Sequence, residues 1–180
     1  MIEPLKVLFV CTANICRSPV MELLARDLAG SSDVEFTSAG TRGYDAQPIN
    51  PDMAATITPG LGDAFRSRHL TSAMLHESDL VLAAESTHRA HILEEHPQLH
   101  RRVFTLGQFA ATIDLIPDLT GRALIAEAGM RRSAPRTADD VADPYRRGRA
   151  AAETATGTIL AMLSVIVPRL TGSPAGSEDA

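Results

Sequence analysis

The chain has 180 residues, of which 44% are hydrophobic and 22% are charged, a composition that fits one well-cored globular domain. Its formal net charge of −5 disfavours nonspecific nucleic-acid binding as the main role, and two cysteines are too few for a disulfide scaffold. No run approaches the roughly 18 consecutive apolar residues of a membrane span, so we expect no membrane insertion.

The N-terminal segment predicts a strand, a tight loop and a helix. Residues 5–10 form an apolar run that is typical of a buried strand. Ser18 and Pro19 indicate the start of a helix, because serine caps helices well and proline fits the first helical position. The loop between these elements would aim its backbone N–H groups at one point, where the helix dipole adds positive potential.

The rest of the chain alternates predicted strands with predicted helices. This alternation predicts a parallel α/β sheet, with the loop at residues 11–17 lying at the carboxyl end of the first strand, the edge where such sheets bind ligands. Strands are predicted at 34–37, 80–84 and 103–106, and helices at 19–29, 51–58, 86–95, 123–128 and 148–167, with Pro168 ending or distorting the last helix. Thr71 is predicted to cap a short turn that runs through His76.

Two segments fall outside this pattern. Residues 109–142 carry scattered prolines and glycines and are predicted to be a variable insertion. Residues 171–180 are acidic and rich in Gly, Ser and Pro, which predicts a disordered tail and leaves a single domain at 1–170.

Cys11 and Arg17 are separated by five residues in the predicted loop. A helix N-terminus beside Arg17 favours the thiolate form of Cys11, which is the nucleophilic form. The planar fork of Arg17 suits two phosphate oxygens, and the loop N–H groups would stabilise a transferring phosphoryl group. The motif therefore predicts attack of Cys11 on a phosphate ester and hydrolysis of the resulting phosphocysteine. The alternative is an ordinary buried cysteine, but the preceding strand and the following Ser-Pro favour the catalytic interpretation.

The leaving group of such a reaction needs a proton that a thiolate cannot supply, so a separate general acid is expected. Asp143 is the best candidate, because Pro144 rigidifies its loop and the loop meets the last predicted helix. Asp-Pro is also a common turn signal, and alone it would be weak support for catalysis.

Together these segments resemble the low-molecular-weight protein tyrosine phosphatase family over about residues 5–108 and 139–169. The resemblance implies a three-layer α/β fold with a four-stranded parallel sheet, helices on both faces, and the phosphate loop after the first strand. The matching residues are Val7-Leu8-Phe9-Val10-Cys11-Thr12-Ala13-Asn14-Ile15-Cys16-Arg17-Ser18-Pro19, Ser38-Ala39-Gly40-Thr41 and Asp143-Pro144-Tyr145.

The resemblance implies phosphotyrosine hydrolysis without a cofactor, with Cys11 as nucleophile, Arg17 as phosphate clamp and Asp143 as general acid. Other implied roles concern the loop and the crevice. Ser18 would hydrogen-bond the Cys11 sulfur, Asn14 would adopt a left-handed conformation while bonded to Ser38, and Tyr44 and Tyr145 would form the walls that accept a phenyl ring. Phosphate-binding residues would be Thr12, Ala13, Asn14, Ile15, Cys16, Arg17 and Ser18.

Two departures from the family pattern are visible. Ala13 occupies a position that is usually glycine, and a positive φ there would add strain of about 1 kcal/mol. Arg146 follows Tyr145 where many members have an aromatic residue or glycine. With Arg147 and Arg149, Arg146 would either attract acidic phosphopeptides or form a solvated basic rim.

Other polar residues have less specific interpretations. Cys16 is expected to pack under the loop, and the resemblance adds a reversible disulfide with Cys11 as a second role, because a neighbouring thiol traps a sulfenic acid. His88 and His91 have helical i, i+3 spacing and are predicted to be surface residues of an exposed helix rather than ligands of a metal.

Two functions of other classes remain open. Arsenate reduction would require an external thiol, since no cysteine follows Cys16, and it would leave Asp143 without an obvious role. The retained nucleophile, clamp and acid argue against a non-enzymatic phosphate or redox sensor, for which Ala13 leaves an opening. For the phosphatase, the resemblance implies a phosphotyrosine-containing protein as partner, such as a bacterial tyrosine kinase of polysaccharide export. A working thiolate and residues 1–10 without signal-peptide features predict a cytoplasmic protein. A monomer or weak dimer is expected, although the sequence does not fix the oligomeric state.

Overall fold

A computed structural model describes residues 3–172 of the chain. Its centre is a four-stranded sheet of order β2-β1-β3-β4 in which every pair of neighbours is parallel, as predicted. Because β1 lies between β2 and β3, the strand order reverses beside it and opens a crevice outside its carboxyl end. The strands are β1 (Leu5–Cys11), β2 (Val34–Gly40), β3 (Leu80–Ala83) and β4 (Val103–Thr105).

Helices cover both faces of the sheet and give the predicted three layers. Val7 and Phe9 point into the larger core with α1, α5 and α7, whereas Leu8 and Val10 point into a smaller core with α3 and α4. The helices are α1 (Arg17–Ala29), α2 (Pro51–Ala54), α3 (Ser72–Glu77), α4 (Ser86–Glu95), α5 (Leu106–Asp114), α6 (Gly121–Arg131) and α7 (Arg149–Thr171).

Arginine side chains donate hydrogen bonds to backbone carbonyls on both outer strands. At β2, Arg26 donates to the Phe36 carbonyl at 2.8 and 3.0 Å, and Arg68 donates to the Ser38 carbonyl at 2.9 Å. At β4, the Val103 carbonyl accepts from Arg89 at 3.3 Å and from Arg132 at 2.9 Å. These contacts satisfy edge groups that would otherwise be open to another strand.

The start of α1 differs from the prediction. The helix begins at Arg17 with Cys16 at its N-cap, and no side chain caps it, so the expected Ser18 cap is wrong. The Ser18 hydroxyl is instead used inside the site described below. A loop that binds an anion must keep its first N–H groups free, which explains why no side chain occupies them.

The region after β4 also differs. Helix α5 follows β4 without a gap, and Thr105 caps it by accepting from the Gln108 N–H at 3.1 Å. This helix was not predicted, because Leu106 follows Val103, Phe104 and Thr105 without a turn residue, so the local pattern conceals the boundary between strand and helix. With α6, it gives the predicted insertion at 109–142 a helical part that packs on α7.

Helix α7 continues through Pro168, so the prediction that proline ends it is wrong, and its distortion of the helix stays a prediction. The last turn is held from outside, because the Arg169 guanidinium donates to the Leu119 carbonyl at 2.8 and 3.2 Å and Val167 lies in the core. The helix reaches Thr171, and residues 173–180 of the predicted tail lie outside the described residues. By length and composition α7 resembles a membrane span, but its apolar stripe forms part of the core.

Candidate active site

A cavity of about 310 Å³ lies at the carboxyl end of β1. It brings together the three predicted catalytic residues and both predicted wall tyrosines, although they come from opposite ends of the chain. The lining residues are Cys11, Thr12, Ala13, Ile15, Cys16, Arg17, Tyr44, Asp143, Tyr145 and Arg146.

The loop that forms the floor of this cavity depends on Asn14. This residue is fully buried and has φ +55°, the left-handed conformation that was expected of it. Its Oδ1 accepts from the Arg68 N–H at 2.9 Å, while its Nδ2 donates to Ser18 at 2.9 Å and to Ser38 at 2.8 Å. The side chain therefore ties the loop to α1 and to β2 at the same time.

The carbonyl side of the loop is occupied by protein donors. The Cys11 carbonyl accepts from the Thr41 N–H at 2.9 Å, and the Thr12 carbonyl accepts from the Arg42 N–H at 2.8 Å. A Cβ on Gly40 would lie 2.7 Å from the Thr12 carbonyl oxygen, so only glycine permits this approach. Because N–H and C=O of a peptide point in opposite directions, the N–H side is left for a ligand.

Ala13 fits the loop without strain. Among residues 3–172, positive φ at a residue other than glycine occurs at Asn14, Ala46 and Arg146. Ala13 therefore has an ordinary negative φ, and the strain that its departure from glycine would have implied does not arise.

Arg17 is 2% exposed, and two of the groups that hold it, Glu85 and the Val141 carbonyl, were not identified from the sequence. Its Nη1 donates to Glu85 at 2.6 Å and to the Val141 carbonyl at 3.0 Å, and its Nη2 lies 3.4 Å from Asp143. The Arg17 Nε is buried and has no partner among the described residues, so this N–H is available to a ligand. Although burial opposes ionisation, hydrogen bonds from Thr87 and Arg17 lower the pKa of Glu85 below its ordinary value.

The prediction that His88 is a surface residue is wrong. The first turn of α4 packs under the loop, leaving His88 only 5% exposed, with Nε2 2.8 Å from the Thr12 hydroxyl. Burial and the nearby Arg17 charge lower the pKa of His88 to about 4, so the ring is neutral at neutral pH. His91 is exposed, and no group of three or more metal-ligating side chains occurs in residues 3–172. A histidine near a strand end was the one signal available in the sequence.

The two cysteines lie in different surroundings. Cys11 is buried at the base of the cavity, with Sγ 3.0 Å from the Ser18 hydroxyl. Burial, followed by the charge of Cys11, raises the pKa of Cys16 to about 12. Cys16 is therefore a protonated thiol packed under the loop, and both cysteines are free.

The outer wall of the cavity is built from the segment before α7. The Asp143 carboxylate is about half exposed and accepts from the Tyr145 N–H at 3.3 Å. The Arg146 guanidinium lies 5.1 Å from the centroid of the Tyr145 ring. Arg149, the third arginine of the predicted basic rim, is instead engaged by Glu153 at 2.9 Å and by the Ala55 carbonyl at 2.7 Å.

Comparison with known proteins gives results that agree with this geometry. The model of the family described as low molecular weight phosphotyrosine protein phosphatase matches residues 6–117. The chain is 27% identical over 165 residues to the probable low molecular weight protein-tyrosine-phosphatase EpsP of Ralstonia nicotianae, covering 91% of this chain and 94% of EpsP. It is 37% identical over 116 residues to the low molecular weight protein-tyrosine-phosphatase Etp of Escherichia coli, covering 62% of this chain and 75% of Etp.

A solved structure extends the comparison to the whole fold. The YwlE arginine phosphatase from Geobacillus stearothermophilus superposes with a TM-score of 0.75 at 23% identity, covering 98% of this chain and 99% of that one. At this identity the likeness concerns the fold. Relatives of this architecture therefore include enzymes named for two different phosphorylated amino acids.

Proposed function

The chain belongs to the low molecular weight phosphotyrosine protein phosphatase family, and we propose that it hydrolyses phosphotyrosine through a phosphocysteine on Cys11. One observation carries the proposal: the Cys11 thiol lies at the base of a cavity whose wall includes both Arg17 and Asp143. A nucleophile, a phosphate clamp and a proton donor thus face one volume, the minimum set for hydrolysis of a phosphate ester.

In the first step the Cys11 thiolate attacks phosphorus in line with the departing oxygen. The N–H groups of the loop and the unpartnered Arg17 Nε stabilise the three equatorial oxygens. Asp143 donates its proton to the phenolate as the O–P bond breaks. The products of this step are tyrosine, phosphocysteine and an ionised Asp143.

In the second step the phosphocysteine is hydrolysed. The Asp143 carboxylate takes a proton from a water molecule while the water oxygen attacks phosphorus and the S–P bond breaks. Cys11 departs as a thiolate, which is stabilised by a hydrogen bond from the Ser18 hydroxyl at 3.0 Å. Inorganic phosphate and the starting enzyme result.

The walls of the cavity support an aryl substrate. Tyr44, Tyr145 and Ile15 present flat or apolar surfaces on the path to Cys11, as a phenyl ring requires. The arginine phosphatase named above makes phosphoarginine the competing substrate. The Arg146 cation lines the cavity and would repel the guanidinium group of a phosphoarginine substrate.

Turnover of p-nitrophenyl phosphate, a phosphotyrosine peptide and a phosphoarginine peptide tests this proposal. We expect wild type to hydrolyse the first two, Cys11→Ser to be inactive on both, and Asp143→Ala to be impaired most on the peptide. Faster release of phosphate from phosphoarginine would reverse the substrate assignment. No turnover of any of the three by wild type would remove the phosphatase assignment, and thiol-dependent arsenate reduction would then be measured.

The proposal also includes the protein substrate and the cellular compartment of the reaction. We expect the substrate to be a phosphotyrosine-bearing protein, such as a bacterial tyrosine kinase, and the working compartment to be a reducing cytoplasm, in which the Cys11 thiolate survives. A comparison of the phosphotyrosine proteome with and without the protein identifies the substrate.

Cys16 supports a second proposed role, protection of the nucleophile. Peroxide would oxidise Cys11 to a sulfenic acid, and the Cys16 thiol would then displace water to form a disulfide. Since Cys16 is a protonated thiol, this closure is slow at neutral pH. We expect dithiothreitol to restore peroxide-treated wild type more fully than Cys16→Ser, and equal recovery of the two would exclude the role.

A further inference from the structure

A buried chain of hydrogen bonds joins a carboxylate of α1 to the nucleophile. Ser38 donates to Glu22 Oε2 at 2.5 Å, and Asn14 donates to Ser38 at 2.8 Å and to Ser18 at 2.9 Å. Ser18 in turn lies 3.0 Å from the Cys11 sulfur. All five side chains are buried, and Glu22 is only 3% exposed. Glu22 does not line the cavity and has no part in the two chemical steps.

A buried carboxylate is costly, so its partners are informative. Burial raises the pKa of Glu22, while the Ser38 hydrogen bond and the charges of Arg26 and Arg68 oppose that rise. Arg26 lies 2.8 Å from Glu22 Oε1, so one carboxylate oxygen is paired with a cation and the other faces Ser38. This arrangement keeps an acceptor, rather than a donor, next to the Ser38 hydroxyl.

The number of available protons then fixes which group donates in each of these hydrogen bonds. Each hydroxyl has one proton to donate, and the Ser38 proton goes to Glu22, so Ser38 must accept from Asn14. The Asn14 amide cannot turn over, because its Oδ1 accepts from the Arg68 N–H at 2.9 Å. Its second N–H is therefore donated to Ser18. The proton of the Ser18 hydroxyl then has two acceptors in reach, the Cys11 sulfur at 3.0 Å and the more distant Ala39 carbonyl at 3.4 Å, and the nearer sulfur is favoured.

We propose that Glu22 is a positioning residue: by accepting the Ser38 proton, it keeps Ser38 in place as an acceptor for Asn14 and so maintains Ser18 as a donor to Cys11. Without Glu22 the Ser38 proton lacks its buried acceptor, and the hydroxyl turns away from Asn14 to find another. The Asn14 amide then loses one of its two acceptors and no longer holds Ser18 firmly in the position from which the Ser18 hydroxyl donates to the thiolate. This inference rests on the proposed function in one respect, since the proposed function supplies the substrate that the thiolate attacks.

Alkylation of Cys11 by iodoacetate tests the proposal without any turnover. The rate is followed against pH, and mass spectrometry of the modified peptide assigns the product to Cys11. In Glu22→Gln the single amide oxygen pairs with the Arg26 cation, so the amide NH2 faces Ser38 and offers it no acceptor. We expect Glu22→Gln and Ser38→Ala each to raise the pH midpoint by about one unit, which means about tenfold less thiolate below the midpoint. The double variant should show no larger shift than Ser38→Ala alone, because Glu22 acts through Ser38.

Two further variants separate positioning from folding. Glu22→Asp keeps a carboxylate and should recover part of the shift, whereas Glu35→Gln, at an exposed glutamate of the same strand as Ser38, should leave the profile unchanged. Additive shifts, or a lower melting temperature with an unchanged midpoint, would overturn the proposal. If Glu22→Gln does not fold, an unshifted Ser38→Ala profile overturns it equally. A normal profile in a wild type without turnover would contradict the proposed function and leave this inference standing.

Discussion

The inner and outer halves of the site are stabilised in different ways. In the inner half, Cys11, Asn14 and Ser18 are at most 2% exposed and are fixed by hydrogen bonds to one another. In the outer half, Tyr44 is 74% exposed and Tyr145 is 43% exposed, and both line the cavity without a comparable network. Changes in the inner half should therefore alter stability and chemistry together, whereas changes in the outer half should alter chemistry alone.

The largest effect is expected from Arg17→Lys in the inner half. Lysine cannot reproduce the planar fork, and it leaves Glu85 and the Val141 carbonyl, which Arg17 contacts at 2.6 and 3.0 Å, without their donors. We expect kcat/KM for p-nitrophenyl phosphate to fall about 1000-fold, with a lower melting temperature. Steady-state kinetics and thermal denaturation measure the two effects. Loss of activity at an unchanged melting temperature would contradict the claim that the inner half couples stability to chemistry.

Asp143→Asn tests the outer half. The side chain is about half exposed, so the melting temperature should change little, while kcat on phenyl phosphate should fall about 100-fold because its leaving group needs a proton. The rate of phosphoenzyme formation from p-nitrophenyl phosphate should be far less affected, since nitrophenolate leaves unaided. Equal losses on the two esters, measured by burst kinetics, would show that Asp143 is not the acid.

The His88→Gln variant tests whether the buried His88 side chain lowers the stability of the protein at acidic pH. The pKa of His88 is about 4 in the fold against an ordinary 6.5. The unfolded chain therefore takes up a proton first, and stability falls as the pH drops from 6.5 towards 4. We expect about 2 kcal/mol of this loss to disappear in the variant, as measured by urea denaturation at several pH values.

The exposed His91, on the same helix, provides the matched control. His91→Gln should retain the wild-type dependence of stability on pH. If His88→Gln retained it as well, His88 would not be the group that titrates.

The smallest effect is expected at the mouth. Arg146 lies over Tyr145 and borders the cavity, and Arg147 follows it outside α7. Reversing both charges, Arg146→Glu with Arg147→Glu, should lower kcat/KM on an acidic phosphopeptide about tenfold at low salt and hardly change it on p-nitrophenyl phosphate. Equal changes on both substrates would show that the arginines act on the site itself rather than on the peptide.

The sequence predicted the structure correctly where a local pattern of residues is compatible with only one arrangement of the backbone. Cys11 to Pro19 follows an apolar run, so the strand, loop and helix could be predicted together, and parallel topology then placed the loop at the ligand edge. The partners of the loop could not be predicted in this way, because Glu85 at the N-cap of α4 and His88 in the first turn of α4 reach Arg17 and Thr12 through tertiary packing.

Glu22 and Pro168 show the same limit. Glu22 is one acidic residue on a helix, and only the closeness of β2 turns it into the partner of Ser38. Pro168 normally disfavours a helix, but core packing and Arg169 hold the last turn of α7 together. In each of these cases a contact distant in sequence overrides the local preference.

The proposed mechanism requires a covalent phosphoryl group on Cys11. In Asp143→Asn the second step lacks its base, so this intermediate should accumulate when p-nitrophenyl phosphate is added and the reaction is stopped within one turnover. Mass spectrometry of the digested protein should find one phosphoryl group on the peptide that contains Cys11, in an amount equal to the burst of nitrophenolate. A burst without that adduct, or an adduct on another residue, would contradict the account.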